Sequence, residues 1–531
     1  LASPAERAAV DSVLGPPTSG WHGGERDTGL DGHVARGGHE ARSRRDLLIP
    51  VLHAVQARIG WISQPALNYV CKRLTVPPAE AWGVATFYAL FATSARPPIV
   101  AHVCDDLACR LAGADELCAD VERLLGPEGA AGADGTRTWL RSPCLGLCER
   151  APAAMLTRAG TAPDTTVAAP VDAAGIAARL DGAGATFGST PSVASSVPQA
   201  GRPEARLRLL GRIGVVDPES LDDYRAHGGF RALERARAIG ARQVIDEVTA
   251  ANLVGRGGAA FPTGRKWAAV ADQPAQPHYL VCNADESEPG TYNNHELMLK
   301  DPHQLIEGMI ISAYALRVRK MFIYIRGEMV LTAKVLADAI AEAYAKGFLG
   351  ENVFGSKFST DLILHRGAGA YICGEETALM DSLEGLRGHP RSKPPFPAVQ
   401  GLYGMPTTIN NVETLCNLPH LVNHGVEWYR SMGTEKSPGT KIVSVSGHVK
   451  RPATVEITMG TPCEELIYDI CKGIRDDNDL KAAIPGGSSM PMLPKEILLK
   501  ANYDFESLQA AGSMLGSGGM IVFDDTTDIP Q

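Results

Sequence analysis

Several features are scarce or missing in this 531-residue sequence, and each absence narrows the class of protein. No apolar run approaches the ~18 residues that a membrane-spanning helix requires, so we expect no direct membrane insertion. The chain carries 51 basic and 60 acidic residues and no basic stretch, which argues against nucleic acid as a partner. It starts at Leu1 without a charged-then-apolar leader, so no secretory signal is visible. No cysteine follows Cys471.

The composition is otherwise that of a large globular protein. Hydrophobic residues make up 44% of the chain and charged residues 21%, which is enough apolar material for several cores. At roughly 100–200 residues per domain, the length predicts three or four domains. The eleven cysteines are odd in number and spread over a long chain, so they fit a disulfide framework poorly.

Hydrophobic periodicity predicts an α/β multidomain protein. The segment LLIPVLHAVQARIGWIS has helical spacing, whereas PPIVAHVC, HYLVCNADE, KMFIYIRGE and STDLILHRG are typical of buried strands. DGAGATFGSTPSVASSVPQAGRPE has the composition of a linker. The predicted units are a disordered segment 1–45, a helical segment 46–98, a small α/β domain 99–180, a linker 181–205, a larger α/β unit 206–436 and a small α+β module 437–510.

Four cysteines form two close pairs in the small α/β domain. Four residues separate Cys104 from Cys109, and three separate Cys144 from Cys148. Structural zinc sites use two to four intervening residues within a pair. A [2Fe–2S] cluster also needs four thiolates, and Gly146 gives the backbone freedom to approach inorganic sulfide. On spacing alone, an iron–sulfur cluster, a zinc site and four unrelated core cysteines all remain open.

A glycine-rich loop follows a helical stretch in the larger unit. In LVGRGGAAFPTGRKW, Gly255, Gly257 and Ala260 satisfy a loose G-x-G-x-x-G/A pattern, whose backbone N–H groups can crowd onto phosphate. The preceding ARQVIDEVTAAN is helical rather than a strand, which argues against an ordinary Rossmann site. Alone, the loop is equally compatible with a simple turn between helices.

Two further segments place dense polar groups near the ends of predicted strands. They are CNADESEPGTY (282–292) and GAGAYICGEETAL (367–379). Ligands bind open α/β sheets at the carboxyl ends of the strands. Either segment alone could be a solvated acidic loop, but three such segments in one unit predict a binding site.

The cysteine region resembles a known family. VCDDLACRLAGADEL followed by RSPCLGLCERAPA resembles the thioredoxin-like [2Fe–2S] subunit of respiratory complex I, the 24-kDa type, over about residues 45–180. The resemblance implies that Cys104, Cys109, Cys144 and Cys148 ligate a [2Fe–2S] cluster. Cys118 lies on a helical pattern and is expected to be a packing residue.

The larger unit resembles the NADH- and FMN-binding subunit of complex I, the 51-kDa type, from about residue 206 to the end. EGLRGHPRSKPPFPAVQGLYGMPTTINNVETLCN (384–417) carries much of this likeness. The same module recurs in the diaphorase parts of NAD-dependent formate dehydrogenases and NAD-reducing hydrogenases. The family binds FMN and NAD(H) in one cavity of a Rossmann-like domain, and it adds a ubiquitin-like (β-grasp) module that here implies a scaffolding role for residues 437–510.

The resemblance implies a set of cofactor-binding residues. Those expected around FMN are Gly255, Gly257, Gly258, Lys266, Asn283, Asp285, Tyr371, Gly374, Glu375, Asn410, Asn411 and Thr414. Those expected beside FMN and NADH are Glu286, Ser287, Glu288 and Glu376. Phe261 and Phe396 are expected to sandwich the adenine, because aromatic faces stack on planar rings.

The sequence departs from the family pattern at several positions. The family has Gly at the position of Ala260, an aromatic in some members at Ala269, and Lys-Asp-Arg at 293–295, where this chain has Asn-Asn-His. The methyl group of Ala260 could crowd the cofactor. The family's next element carries four cysteines that ligate a [4Fe–4S] cluster, and this chain lacks them. We therefore expect residues 511–531 to be the start of a truncated C-terminal region, and the chain to be a fragment.

The resemblance implies an NADH dehydrogenase that passes hydride from NADH to FMN and then single electrons to iron–sulfur clusters. No catalytic residue beyond the cofactors is expected. The expected partners are other subunits of a redox complex, including an iron–sulfur relay subunit. The expected location is the cytoplasm, or the inner face of the cell membrane through those subunits. The alternatives are a diaphorase subunit of a formate dehydrogenase or hydrogenase, and a non-catalytic scaffold.

Overall fold

The computed structural model describes residues 1–17, 44–182 and 207–529. Most of the predicted linker and of the predicted disordered segment lie outside these ranges. In the described part of the chain, no helix combines the length and the apolar character needed to cross a membrane.

The first residues form a helix, so the prediction of disorder throughout 1–45 is wrong for this stretch. Helix α1 (Pro4–Leu14) begins with a capping box in which Ser3 and Glu6 exchange side-chain-to-backbone hydrogen bonds. Its short apolar face, including Val10 and Leu14, is buried against the next helices. Eleven residues rich in alanine and charge carry little periodic signal, which explains why the pattern did not predict the helix.

The helical segment covers one face of the central sheet of the larger unit. Its helices are α2 (Leu48–Ile59), α3 (Gln64–Leu74) and α4 (Pro78–Ala85). Their apolar side chains share a core with Val281, Phe322 and Tyr324 from that sheet. The helical segment and the larger unit are therefore packed through a common hydrophobic layer.

The small α/β domain contains a four-stranded sheet in the order β2-β1-β3-β4. Strand β1 runs parallel to β2 and antiparallel to β3. Two helices, α6 and α7, bury their apolar faces against the sheet around Trp139. The elements are β1 (Ile99–Cys104), α5 (Leu107–Arg110), α6 (Ala114–Leu125), β2 (Arg137–Ser142), β3 (Ala154–Arg158), β4 (Asp164–Ala168) and α7 (Ala173–Leu180).

The larger unit is built on a parallel sheet in the order β7-β6-β5-β8. Alternate residues point to opposite faces, so Leu280 and Cys282 join the core formed with the unit's own helices, whereas Val281 faces the helical segment. Its helices are α8 (Leu221–Ala226), α9 (Arg231–Ile239), α10 (Ala241–Ala250), α11 (Thr263–Ala271), α12 (Asn293–Lys300), α13 (Pro302–Leu316), α14 (Val330–Ala345), α15 (Glu376–Leu383), α16 (Val412–His424) and α17 (Val426–Arg430). The strands are β5 (His278–Ala284), β6 (Val318–Ile325), β7 (Asp361–Arg366) and β8 (Thr407–Asn411).

The last module is a five-stranded sheet in the order β10-β9-β15-β12-β13, beside a two-stranded pair β11-β14. Strand β15 (Gly519–Asp524) lies between β9 and β12 and is buried along its whole length. The predicted boundary at residue 510 is therefore wrong, because the sheet needs this strand to complete its centre. The other elements are β9 (Thr440–Gly447), β10 (Ala453–Thr458), β11 (Thr461–Pro462), a π-helix (Glu465–Ile470), β12 (Leu480–Ile484), β13 (Leu493–Pro494), α18 (Lys495–Leu498), β14 (Asn502–Tyr503) and α19 (Phe505–Ala510).

Candidate cofactor cavity and cysteine site

A cavity of about 980 Å³ opens at the carboxyl edge of the parallel sheet. Because β5 and β8 run parallel, the turn after β5 and the end of β8 meet at this edge. Of the residues expected to bind cofactors, all but Thr414 line the cavity. Thr414 is buried in α16, where its hydroxyl accepts a hydrogen bond from the backbone N–H of Arg256 at 2.9 Å. Thr414 therefore supports the glycine-rich loop from behind.

Glycine lets the glycine-rich loop pack closely against its neighbours in the cavity wall. A Cβ atom on Gly257 would approach the Asn411 side chain to 3.1 Å, which is tighter than ordinary contact. The loop leads directly into α11, whose first N–H groups favour negative charge. Ala260 has φ of 50°, which lies in the left-handed region that favours glycine. This glycine cradle fits a phosphate group.

The turn after β5 places two carboxyl groups with perturbed acidity in the cavity. Burial raises the pKa of Asp285 to about 7 and that of Glu286 to about 7. Glu286 accepts hydrogen bonds from the backbone N–H groups of Asn294 (2.7 Å) and His295 (3.0 Å). One oxygen of Asp285 is buried without a protein partner. An unpaired acceptor in this position fits a ligand that carries ring N–H groups, as a flavin does.

Hydrogen bonds join the second polar segment (367–379) to the first (282–292). The side-chain amide of Asn283 donates to the carbonyl oxygen of Gly374 at 2.8 Å, and the hydroxyl of Tyr371 donates to Glu288. Glu375 caps α15, accepting hydrogen bonds from the backbone N–H groups of Thr377 and Ala378. The Glu375 carboxylate is thus engaged by the protein, whatever the cavity holds.

Glu376 belongs to a charged group at the cavity wall. Its carboxylate lies 2.7 Å from the ammonium of Lys393 and 3.7 Å from that of Lys266. Lys266 also donates to the carbonyl oxygen of Ile409 at 3.0 Å, and burial lowers its pKa. These groups hold Lys266 beside the glycine cradle.

Two aromatic side chains line the cavity with much of their surface exposed. Phe261 is 48% exposed and Phe396 is 59% exposed. Large exposed rings at a cavity mouth are suited to stacking on a planar ligand. Ala269, where the resemblance implies an aromatic residue in some members, also lines the cavity.

Sequence reasoning missed the contribution of the last module. Ser489, Met490, Gly516 and Ser517 all line the cavity. The backbone N–H of Ser489 donates to Glu288 at 2.6 Å. The glycine- and serine-rich runs PGGSSM and LGSGGM were the available signal, because such runs form close-packed turns. The module therefore shapes the cavity, a part that the expected scaffolding role did not include.

The four cysteines of the small α/β domain are buried together. The Cys144 and Cys148 sulfurs lie 3.4 Å apart, and Cys104 interacts with both Cys109 and Cys144. Hydrogen bonding to neighbouring thiols, together with burial, raises the pKa of both Cys104 and Cys148. Four converging buried sulfurs with few other partners fit a thiolate-ligated metal centre.

The segment 285–292 connects the two sites. Its first residues line the cavity, whereas Tyr292 packs against Cys144 and Cys148. The backbone N–H of Gly290 interacts with the Cys148 thiol. The cavity and the cysteine site are therefore the two ends of one short stretch of chain.

Comparisons with known proteins agree with this architecture. The model of the Nuo51 FMN-binding domain matches residues 248–420, that of the thioredoxin-like [2Fe–2S] ferredoxin matches 36–169, and that of the SLBB domain matches 441–522. These matches confirm the expected FMN-binding and [2Fe–2S] domains.

Curated relatives and solved structures extend the comparison. The NADH-quinone oxidoreductase F 2 subunit of Rhizobium meliloti (strain 1021) is 50% identical over 320 residues, covering 60% of this chain and 76% of that protein. The NADH-quinone oxidoreductase F subunit of Mycobacterium tuberculosis (strain ATCC 25618 / H37Rv) is 52% identical, covering 59% and 72%. A crystal structure of NAD⁺-reducing [NiFe]-hydrogenase in the air-oxidized state superimposes with a TM-score of 0.73 at 29% identity, covering 92% of this chain and 79% of that one. The chain belongs to the family of NADH-quinone oxidoreductase F subunits, and it carries a thioredoxin-like [2Fe–2S] domain ahead of the family's FMN-binding domain.

Proposed function

We propose that this chain is the electron-input part of a complex I-type NADH-quinone oxidoreductase. It is an NADH dehydrogenase that uses FMN and a [2Fe–2S] cluster. The observation that carries this function is one cavity with a glycine cradle, an unpaired buried acceptor and two exposed aromatic rings. FMN, when bound, supplies an acceptor for hydride and a donor of single electrons.

The residues of the cavity have distinct roles in this proposal. The cradle of Gly255, Gly257 and Gly258 holds the flavin phosphate, and Lys266 neutralises negative charge beside it. Asn283 and Asp285 orient the flavin ring, and Asn410, Asn411 and Tyr371 complete its pocket. Phe261 and Phe396 hold the adenine of NADH, while Glu286, Glu288 and Glu376 tune the flavin and the nicotinamide. Cys104, Cys109, Cys144 and Cys148 ligate the cluster.

The partners of the chain are other subunits of a redox complex. Within that complex we propose an iron–sulfur relay subunit as the acceptor, and a peripheral position at the inner face of the membrane. A second candidate is the diaphorase component of an NAD⁺-reducing hydrogenase, which is favoured by the structural likeness over 92% of this chain. Mild purification followed by mass spectrometry separates the two: quinone-reductase subunits support the first, and hydrogenase or formate dehydrogenase subunits support the second.

The activity itself is tested on the purified chain. Acid should release FMN, since a single phosphate cradle suits a mononucleotide, and chromatography identifies it. NADH should bleach the flavin band in a stopped-flow experiment, with ferricyanide reduced in parallel. A stoichiometric amount of FAD would contradict the FMN assignment. A colourless preparation, or a loaded flavin that NADH fails to bleach, would favour the non-catalytic scaffold.

A further inference from the structure

A second, smaller cavity lies where three units of the molecule meet. Its volume is about 80 Å³, and it is lined by α2, by strands of the small α/β domain and by the end of β7. Three arginines line it, Arg96, Arg158 and Arg366, together with His53 and His102. We call it the three-arginine cavity. It is separate from the cofactor cavity, and no lining residue is shared.

The charges around this cavity do not balance. Asp164 is the one carboxylate among its lining residues. Burial raises the pKa of Asp164 and the charge of Arg158 opposes that shift, so these two groups are neighbours. In the described part of the chain, neither Arg96 nor Arg366 has a carboxylate within ion-pair distance. The Glu328 carboxylate forms an ion pair with Arg326. Its electrostatic effect on Arg366 is exerted from a longer distance. Two guanidinium groups are therefore left without a direct counter-charge.

Arg96 and Arg366 each use only part of their hydrogen-bonding capacity in bonds within the protein. Arg366 donates from Nε to the carbonyl oxygen of Gly327 at 2.8 Å, and Arg96 donates from Nε to that of Gly60 at 3.0 Å. Within the described residues, their terminal nitrogens form no hydrogen bond. A guanidinium group has five N–H donors, so both arginines keep donors for a ligand.

The nearby histidines do not offset the imbalance. Burial and the charge of Arg366 lower the pKa of His53. His53 is therefore neutral near pH 7, and its Nε2 lies 2.8 Å from the carbonyl oxygen of Gly367. Neither histidine can supply negative charge to the cavity. Counting three arginines and one carboxylate, the lining carries a net charge of 3 − 1 = +2. Partly buried charge of one sign is costly unless it is paired.

We propose that the three-arginine cavity binds a small tetrahedral oxyanion of the phosphate or sulfate class. Such a dianion matches the net charge of the lining, and the forked donors of arginine match its oxygens. The volume exceeds the roughly 15 Å³ that one water needs and is far below the size of typical pockets for drug-sized ligands, which suits a small ion.

The three-arginine cavity lies between the larger unit and the small α/β domain, so an anion bound there contacts both. Arg366 ends β7, which leads into the loop that carries Tyr371 to the cofactor cavity. His102 lies on β1, which ends at Cys104. The anion thus bridges the unit that lines the cofactor cavity and the domain that holds the cysteines, and it stabilises their packing.

The test measures anion binding to the whole chain with its cofactors. Inorganic phosphate, sulfate and chloride are compared at equal ionic strength by isothermal titration calorimetry and by the midpoint of thermal unfolding. Phosphate or sulfate should release heat and raise the midpoint, whereas chloride should do neither. Binding of both tetrahedral anions defines a general oxyanion site, and binding of one alone assigns the site to that anion.

Variants identify the site. Arg366→Gln and Arg96→Gln should each weaken anion binding by about tenfold or more, because each removes a charge-assisted interaction. Arg123→Gln is the control, since Arg123 is an exposed arginine of the small α/β domain that does not line the three-arginine cavity and whose side chain pairs with Asp120. Both cavity variants are tested, so that the site can still be identified if one of them fails to fold. The proposal is overturned if neither oxyanion binds, or if both cavity variants bind the oxyanions as tightly as the wild type.

Discussion

The guanidinium group of Arg326 donates a hydrogen bond to the backbone carbonyl oxygen of Cys144. The same side chain donates from Nη1 to the carbonyl oxygen of Glu286 at 3.2 Å and from Nε to Glu328 at 3.1 Å. Arg326 is only 3% exposed. One buried cation therefore holds the cysteine loop against the turn that lines the cofactor cavity.

We expect Arg326→Gln to destabilise this junction strongly. The substitution leaves Glu328 buried without its cationic partner, a change that typically costs about 3 kcal/mol or more. It also removes positive charge near Cys144, so the reduction potential of the cluster should fall. Thermal unfolding and a redox titration followed by electron paramagnetic resonance measure the two effects.

The double variant Arg326→Gln/Glu328→Gln separates charge from packing. It removes both members of the ion pair, so it should recover part of the lost stability while still lacking the cation. If the single variant is as stable as the wild type and its cluster potential is unchanged, Arg326 does not join the two sites in the way described.

The cysteine assignment predicts a sharp difference between two serine variants. Cys144→Ser should abolish the cluster, whereas Cys118→Ser should keep about two irons and two sulfides per chain. Cys118 is buried in the core between α6 and the sheet, away from the other four thiols. Iron, sulfide and zinc are measured after anaerobic purification. Stoichiometric zinc in the wild type would contradict the iron–sulfur assignment.

Much of the fold follows from local patterns in the sequence. Val281 and Cys282 alternate between two cores, and this run of apolar residues is what a strand buried on both faces requires. The spacing of the cysteines likewise indicated that four of the thiols could form one site. These signals lie within one element or one loop, where sequence reasoning is strongest.

Other features could not be predicted because they depend on distant pairings. Ser489 donates a hydrogen bond to Glu288 across 201 positions of the chain. The run PGGSSM around Ser489 indicates a turn, but it does not identify Glu288 as the partner. Strand β15 has a clear apolar run, but its place between β9 and β12 is set by packing of the whole module. Thr414 lies behind the loop rather than in the cavity, a difference of a side chain's direction that the motif does not encode.

The buried carboxyl group of Glu286 predicts a pH-dependent stability. Its folded-state pKa is raised by burial from 4.5 to about 7, so the folded state holds a proton that the unfolded chain releases. Stability should therefore fall as the pH rises from 4.5 to about 7, by roughly 3 kcal/mol in total. The free energy of unfolding of the flavin-free chain is measured at a series of pH values across this range.

Glu286→Gln should flatten this dependence, although Asp285 leaves a remaining slope. The variant loses one hydrogen bond at every pH, so the comparison concerns the slope and not the absolute stability. Glu116→Gln, at an exposed position on α6, serves as the control and should keep the wild-type slope. An unchanged slope in Glu286→Gln would show that this carboxyl group does not titrate in the window.

The backbone at Ala260 predicts a stabilising substitution. Its φ of 50° lies in the left-handed region, which costs a residue with a Cβ atom about 1–2 kcal/mol. Ala260→Gly relieves this strain, and the greater freedom of glycine in the unfolded chain returns part of the gain. We expect a net stabilisation of up to about 1 kcal/mol. Ala259→Gly is the matched control: Ala259 is the preceding residue of the same loop and is not among the residues with positive φ, so this change should destabilise. Thermal unfolding of the three proteins decides between them. If Ala260→Gly is no more stable than Ala259→Gly, the left-handed conformation carries no strain in this loop.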